Sequence, residues 1–302
     1  MPYNETEIRM EVLRFLRERE VWNGGVFDGA ELNHGIDLGG RRITLKGATG
    51  IWFPAGFSMP ISISTSHKGP YALDDIGDDG MLTYAYRGTD PEHRDNRGLR
   101  EALRTRTPLI YFKEIQGHRY QAIWPVIILQ DHPEALYVRG AIDPAYAELR
   151  PGVEMGDIQP SPLDLRRYAW SQTRHRLHQS AFREIVVDAY GQRCAICRLN
   201  HPELLDGAHI ISDTDDRGEP VVQNGLSLCK IHHAAYDKNI LGVSSDYVVH
   251  IRADILAEHD GPMLRHGLQE LDLSRITLPA HRADYPDRDR LAQRFGAFMA
   301  AS

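Results

Sequence analysis

Residues 194–237 decide how the C-terminal half is read: Cys194-Ala-Ile-Cys197, then Leu204-Leu-Asp-Gly-Ala-His209-Ile-Ile211, then Asn224-Gly-Leu-Ser-Leu-Cys229-Lys-Ile-His232-His233-Ala-Ala-Tyr-Asp237. All three cysteines of the 302-residue chain fall in this window, and an odd number at uneven spacing argues against a disulfide framework. The pairs Cys194-x2-Cys197 and Cys229-x2-His232 are spaced so that each turn aims two side chains at one ion, as tetrahedral zinc requires. A closed structural site of Cys194, Cys197, Cys229 and His232 is expected. The plainer alternative is four buried residues with reduced thiols, which requires every cysteine to cluster by accident.

Between the two pairs, Leu-Leu-Asp-Gly-Ala-His-Ile-Ile reads as a short apolar strand carrying His209, followed by Asn224 and His233. This order, over roughly residues 185–245, resembles the HNH nucleases of the ββα-metal class, in which zinc-knuckle pairs bracket a β-hairpin and a helix that hold one catalytic metal. The resemblance implies that His209 is the general base, that Asn224 fixes the hairpin loop and helps orient His209, and that His233 is a ligand of the catalytic ion, Mg2+ or Mn2+. Phosphodiester hydrolysis needs an activated water and a cation for the developing charge, and an imidazole neutral near pH 7 suits the first task. One position departs from many members of the class: the residue before the base, commonly a second metal ligand, is Ala208. Asp206 and Asp237 are the nearby carboxylates that replace it in this reading, and Asp237 stands one helical turn after His233. The ordinary role for either is that of a hydrogen-bond acceptor.

Upstream, residues 163–190 have a helical pattern, with Phe182, Ile185, Val186 and Ala189 on one face. The chain carries a net charge of −7, yet residues 161–200 hold 7 Lys or Arg against 3 Asp or Glu, a basic stripe suited to phosphate contacts. Residues 151–162 are rich in Pro and Gly without periodicity and read as a linker between a domain at 1–150 and one at 163–302. A terminal helix is expected in DRDRLAQRFGAFMAA, and a flanking one over 5–20 from Ile8, Val12, Phe15 and Leu16. From Val21 to about Tyr146, runs such as PISIST, MLTYAYRG, PLIYFKEI and RYQAIWPVIILQ alternate with Gly, Asp, Asn and Pro, the pattern of a curved sheet or barrel with few helices.

Within that half, Gly69-Pro-Tyr71-Ala-Leu-Asp74-Asp75, Asp79-Gly80 and Thr83-Tyr84-Ala85-Tyr86-Arg87-Gly88 resemble the core of SRA domains, which flip a modified cytosine out of duplex DNA. Gly25-Val26-Phe27, His34-Gly35 and Asn96-Arg97-Gly98-Leu99 add shorter matches, so the resemblance spans about residues 20–145. It implies that Tyr71 and Tyr86 stack on the base, with Tyr84 the alternative to Tyr86, and that Asp74 accepts the exocyclic amine. In the same resemblance Asn96, Arg97 and Arg100 sit where a loop would enter the groove and fill the vacated stack, and a solvated charge run is the alternative reading of them. Taken singly, each tyrosine also reads as a sheet-face aromatic and each aspartate as a turn former.

The fold class expected is α+β: an SRA-like curved sheet or barrel, then a ββα-metal HNH domain with structural zinc. With 42% apolar and 25% charged residues, no apolar run of membrane-spanning length and no signal-like N-terminus, the sequence reads as a cytoplasmic globular protein. The function expected is a modification-dependent, type IV-like restriction endonuclease that recognises 5-methylcytosine or a related modified cytosine in double-stranded DNA and acts as a homodimer. Two rivals stand beside it: a non-cutting reader whose zinc fold is a DNA clamp, and an HNH nuclease that reads another modification or unmodified sequence.

Overall fold

Helix α1 (Glu5–Asn23) starts where Asn4 and Glu7 cap each other: the Asn4 side chain accepts from the Glu7 amide at 2.9 Å, and the Glu7 carboxylate accepts from the Asn4 amide at 2.8 Å. The computed structural model describes residues 4–65, 75–77, 81–116, 118–147, 158–215 and 217–301. Ile8, Val12, Leu13 and Leu16 form the buried stripe of α1, as its periodicity requires. The chain continues through β1 (Val26–Asp28), α2 (Gly29–His34), β2 (Ile36–Leu38), β3 (Arg41–Ile43), β4 (Ile51–Trp52), β5 (Ser62–Thr65), β6 (Asp75–Ile76), β7 (Met81–Ala85), α3 (Arg94–Thr105), β8 (Leu109–Gln116), β9 (Arg119–His132) and β10 (Tyr137–Ile142).

Eight of these strands make one sheet, curled as half a barrel, in the order β4-β5-β8-β9-β10-β7-β6 with β1 added on β9. Every pair is antiparallel except β5 with β8. Both faces of its centre are covered. Successive residues of β8 point to opposite sides. Leu109 and Tyr111 therefore join a core with Tyr84, Tyr86, Leu99 and Ala102, while Ile110 and Phe112 join another with Ile8, Val12, Leu16 and Phe27. Two-sided burial is why β8 reads as a continuous apolar run rather than an alternation.

One expectation is corrected in this half. Asn96, Arg97 and Arg100 lie on helix α3 and not on a groove-entering loop. Asn96 is fully buried and ties down the turn before the helix: its Oδ1 accepts from the Arg87 amide at 2.8 Å, and its Nδ2 donates to the carbonyls of Arg87 and Asp90 at 3.1 and 2.8 Å. Leu99 and Ala102, three apart, supply the apolar face that draws α3 onto the sheet.

The chain divides into two compact units, Met1–Leu177 and His178–Ser302. The division falls inside helix α4 (Leu163–Ala189). Trp170 in its first half belongs to the core of the sheet, and Ser161 just ahead of it is held by Asp143, whose carboxylate accepts from the Ser161 amide at 3.1 Å. In the second unit β11 (Leu205–His209) pairs antiparallel with β12 (Gly225–Cys229), and α5 (Lys230–Asp237) follows without a gap. The hairpin β13 (Leu241–Val243) and β14 (Val249–Ile251), the short helices α6 (Ala253–Ala257) and α7 (Pro262–Gly267), and α8 (Arg288–Ala300) complete it. Gly242 admits α8: a Cβ there would lie 2.6 Å from Phe298 Cγ. Arg294 on α8 donates to Asn239 Oδ1 at 2.5 Å and to the Tyr236 carbonyl at the end of α5, with its guanidinium over the Tyr236 ring. Among the described residues no helix is long and apolar enough to cross a membrane.

Candidate active site

The hairpin register sets His209 opposite Gly225 and Leu205 opposite Cys229, so one end of β11 faces the cysteine cluster and the other carries His209. Helix α4 lies close across this hairpin because Gly207 and Gly225 leave room for it. A Cβ at Gly225 would stand 2.4 Å from Val186 Cγ2 and 3.0 Å from Phe182 Cζ, and one at Gly207 3.0 Å from the Arg183 Cα.

Cys194, Cys197, Cys229 and His232 come together with their ligand atoms all within 4.8 Å of one another. The His232 Nδ1 stands 3.4 Å from Cys194 Sγ and 3.3 Å from Cys229 Sγ, and Cys197 Sγ is 3.9 Å from Cys229 Sγ. Four ligands at zinc-bond lengths around a tetrahedral centre stand about 3.3–3.8 Å apart, so the donor set and spacing fit structural zinc. Hydrogen bonds from Cys197 and Cys229 hold the Cys194 thiol far below its ordinary range, which favours the thiolate a metal needs. His232 Nε2 donates to the Gly267 carbonyl at 2.8 Å, the bond that aims Nδ1 into the cluster.

Asn224 is fully buried at the mouth of the hairpin. Its Oδ1 accepts from the Ile211 amide at 2.9 Å, and its Nδ2 donates to the carbonyls of Ile211 and Glu219 at 3.0 and 3.1 Å. With the Ile210 amide on the Asn224 carbonyl at 2.9 Å, both ends of the 210–223 loop are fastened immediately after His209. The His209 ring is half-buried and lies flat on Phe182, centroids 3.7 Å apart and planes 13° from parallel. Burial lowers its pKa below the ordinary imidazole value; His233 pulls the same way, while Asp213 and Asp237 oppose it.

His233 on α5 stands between two carboxylates: its Nδ1 is 3.2 Å from Asp206 Oδ2 and its Nε2 3.5 Å from Asp237 Oδ2. The Asp206 bond raises the His233 pKa against the effect of burial. Burial pushes Asp206 upward, but its bonds to His233 and Lys230 outweigh that and leave the carboxyl below the ordinary range. Lys230 Nζ reaches Asp206 Oδ1 at 2.6 Å. Ala208, at the position where many of the class carry a ligand, is buried in the core, whereas Asp206 reaches the site. Asp206 and Asp237 take different nitrogens of one ring and flank the imidazole at opposite ends, so in this arrangement an ion on Nδ1 would be shared with Asp206 and an ion on Nε2 with Asp237. The sequence did not single out Phe182 beyond its apolar helix face, nor Lys230 or Gly267. Their parts depend on tertiary contacts of 24 to 35 residues' separation that no local pattern carries.

In the first unit Tyr71 and Asp74 lie outside the described residues. Tyr86 follows β7 directly, is 1% exposed, and donates its phenol to the Asp131 carboxylate. Burial, with that bond, pushes the phenol pKa well up. Tyr84, two residues earlier on the same face, donates to the Ser64 carbonyl at 3.1 Å. Both rings are core aromatics of the sheet, and neither has a face open to a base.

Residues 194–244 match the HNH endonuclease family. The chain therefore carries an HNH endonuclease domain, and its activity class is that of a metal-dependent DNA endonuclease. Comparison with curated proteins returns no match. Among solved structures, the chain is similar to the modification-dependent TagI restriction endonuclease, at 16% identity over 83% of this chain and 85% of that one, TM-score 0.32. It is also similar to the type IV phosphorothioation-dependent restriction endonuclease ScoMcrA, at 15% identity over 80% of this chain and 50% of that one, TM-score 0.22. Neither likeness fixes the place of a residue in this chain.

Proposed function

We propose that the chain is a type IV-like restriction endonuclease: residues 1–150 read 5-methylcytosine or a related modified cytosine in duplex DNA, residues 151–162 join, and residues 163–302 cut, as a homodimer. The observation that carries the cutting half is that His209, held at the end of β11 by the Asn224 clamp, interacts electrostatically with His233 of the following helix, which is bonded in turn to Asp206 of the same strand as His209. His209, biased toward the neutral form, takes the proton of the water that attacks phosphorus. His233 with Asp206 would hold a divalent ion, Mg2+ or Mn2+, which when bound supplies charge stabilisation for the phosphate and the leaving oxygen. Lys230 beside Asp206 adds a positive charge to which a phosphate oxygen can be drawn. Zinc at Cys194, Cys197, Cys229 and His232 would hold the knuckle turns and the start of α5 in register.

The reading half rests on the SRA-like residues of the sequence. Tyr71 would offer a stacking face and Asp74, immediately before β6, would accept the cytosine amine. Tyr86, as a core residue, would hold the strand that frames them. Its burial favours a second reading of the same enzyme, in which the β-rich half recognises another DNA modification or unmodified sequence. Digesting one plasmid prepared with and without cytosine methylation, with Mg2+ or Mn2+, separates the two. Cutting confined to the methylated plasmid is expected, and equal cutting of both would refute cytosine-modification dependence. No cutting of any modified or unmodified plasmid would leave a binding protein without nuclease activity.

A further inference from the structure

The general base of a hydrolysis has a particular mounting problem. One ring nitrogen must stay open to take a proton from water, and the ring must still be held to within a fraction of an ångström. His233 solves its own orientation by ion pairs at both nitrogens. His209 has no such partner: among the described residues its imidazole takes no side-chain hydrogen bond, and the Asn224 side chain grips the backbone of Ile211 and Glu219 instead of the ring. What touches the His209 ring is the face of Phe182, nearly parallel at 3.7 Å between centroids.

From this geometry we infer that Phe182 is the positioning residue of the cleavage reaction, fixing the plane of the His209 imidazole through its face so that both ring nitrogens remain free. The inference rests on the reading of His209 as the general base. Phe182 is itself a core residue. It is 1% exposed and sits on α4, outside the segment matched by the nuclease family. Its ring edge fills the space left by two glycines: a Cβ at Gly207 would be 3.4 Å from Phe182 Cδ1, and one at Gly225 3.0 Å from Cζ. The two glycines are thereby given a part: they let an aromatic ring approach the hairpin closely enough to lie under its terminal histidine. A hydrogen-bonded mounting would have cost the base one nitrogen; a stacked mounting does not.

The test is a double-mutant cycle on single-turnover nicking of duplex DNA with Mn2+, using Phe182→Leu, His209→Ala and both together. Phe182→Leu is expected to lower the single-turnover rate at saturation about 10- to 100-fold, the usual cost of a misplacement near 1 Å, with the concentration for half-saturation unchanged. In the His209→Ala background it should add no further loss, because Phe182 acts only through that ring. A parental rate for Phe182→Leu overturns the inference, as does an equal loss in both backgrounds, which marks a merely structural role. A second measurement is independent of how the variant folds: the His209 ring proton resonances of the parent protein, assigned by their absence in His209→Ala, should lie upfield through the ring current of Phe182. Resonances at ordinary imidazole positions overturn it as well. Parental cleavage by His209→Ala sinks the general-base reading itself, whereas an inactive His209→Ala beside a fully active Phe182→Leu sinks this inference alone.

Discussion

Replacing Asn224 should separate the clamp from the catalyst. Its side chain makes three hydrogen bonds: a buried one accepted from the Ile211 amide, a buried one donated to the Ile211 carbonyl and a partly buried one donated to the Glu219 carbonyl. At about 1 kcal/mol net for each, Asn224→Ala loses about 3 kcal/mol of closure of the 210–223 loop, a change of about a hundredfold in the ratio of closed to open loop. Asn224→Asp should be worse, although it is the smaller change. It keeps the acceptor for the Ile211 amide but turns a carboxylate oxygen toward two carbonyls in a fully buried site. The assay is amide hydrogen exchange at Ile210 and Ile211 alongside the nicking rate. Protection at these two amides should fall about a hundredfold in the Ala variant, and nicking with it, while zinc content stays unchanged. An Asn224→Asp variant with parental protection at Ile211 would refute the clamp, and one with lost protection but full nicking would refute its link to His209.

Cys194→Ser and Cys229→Ser should each release the metal and unfold the second unit, since structural zinc contributes on the order of 10 kcal/mol in small modules; elemental analysis of the parent should find one zinc per chain, and its absence would overturn the assignment. In metal-free protein Asp206→Asn should bring the His233 pKa back toward its ordinary value, read by proton NMR titration. The sign follows from the raised native pKa of His233: the stability it contributes is complete below the unfolded value near 6.5 and drains away as pH rises through the higher native one. Asp206, depressed in the fold, contributes above its unfolded pKa near 3.9 and loses that contribution as pH falls through the native value. Tyr71→Ala should reduce the ratio of methylated to unmethylated affinity by about 10- to 100-fold at fixed salt, the range of one lost stacking partner, and Asp74→Ala should reduce it likewise through the lost hydrogen bond to the cytosine amine, whereas Tyr86→Phe should lower the melting temperature and leave that ratio alone; equal loss of both affinities in the first two variants would place the pocket elsewhere.

The second unit was legible because its chemistry is written locally. Cys194, Cys197, Cys229 and His232 announce themselves by spacing, and the structure draws them into one cluster. Asp206 was readable as a neighbour of the base, and its side chain does meet His233. What the sequence hides are partners that arrive from another element, such as Phe182 under His209 and the Gly267 carbonyl behind His232. In the first unit the runs of β-formers mark the sheet, but α3 was missed. Its polar stretch around Asn96 and Arg97 reads as a loop until Leu99 and Ala102 are seen against the sheet. Alternation correctly placed Tyr84 and Tyr86 on one face, yet it cannot say whether that face looks into a core or a cleft.

The bond from His232 to Gly267, with Phe298 seated on Gly242 and Arg294 on the end of α5, bears on how this nuclease can be moved to another protein. A cassette cut to the recognisable motif, residues 194–244, would carry all four cysteine and histidine ligands and leave behind the acceptor that aims one of them. It would also strip Phe182 from beneath the base and leave β13 without its partner strand β14 and without Phe298 against Gly242. The smallest transplantable scissor is therefore set by the supports and not by the signature: it begins ahead of Phe182 on α4 and ends beyond Phe298 on α8.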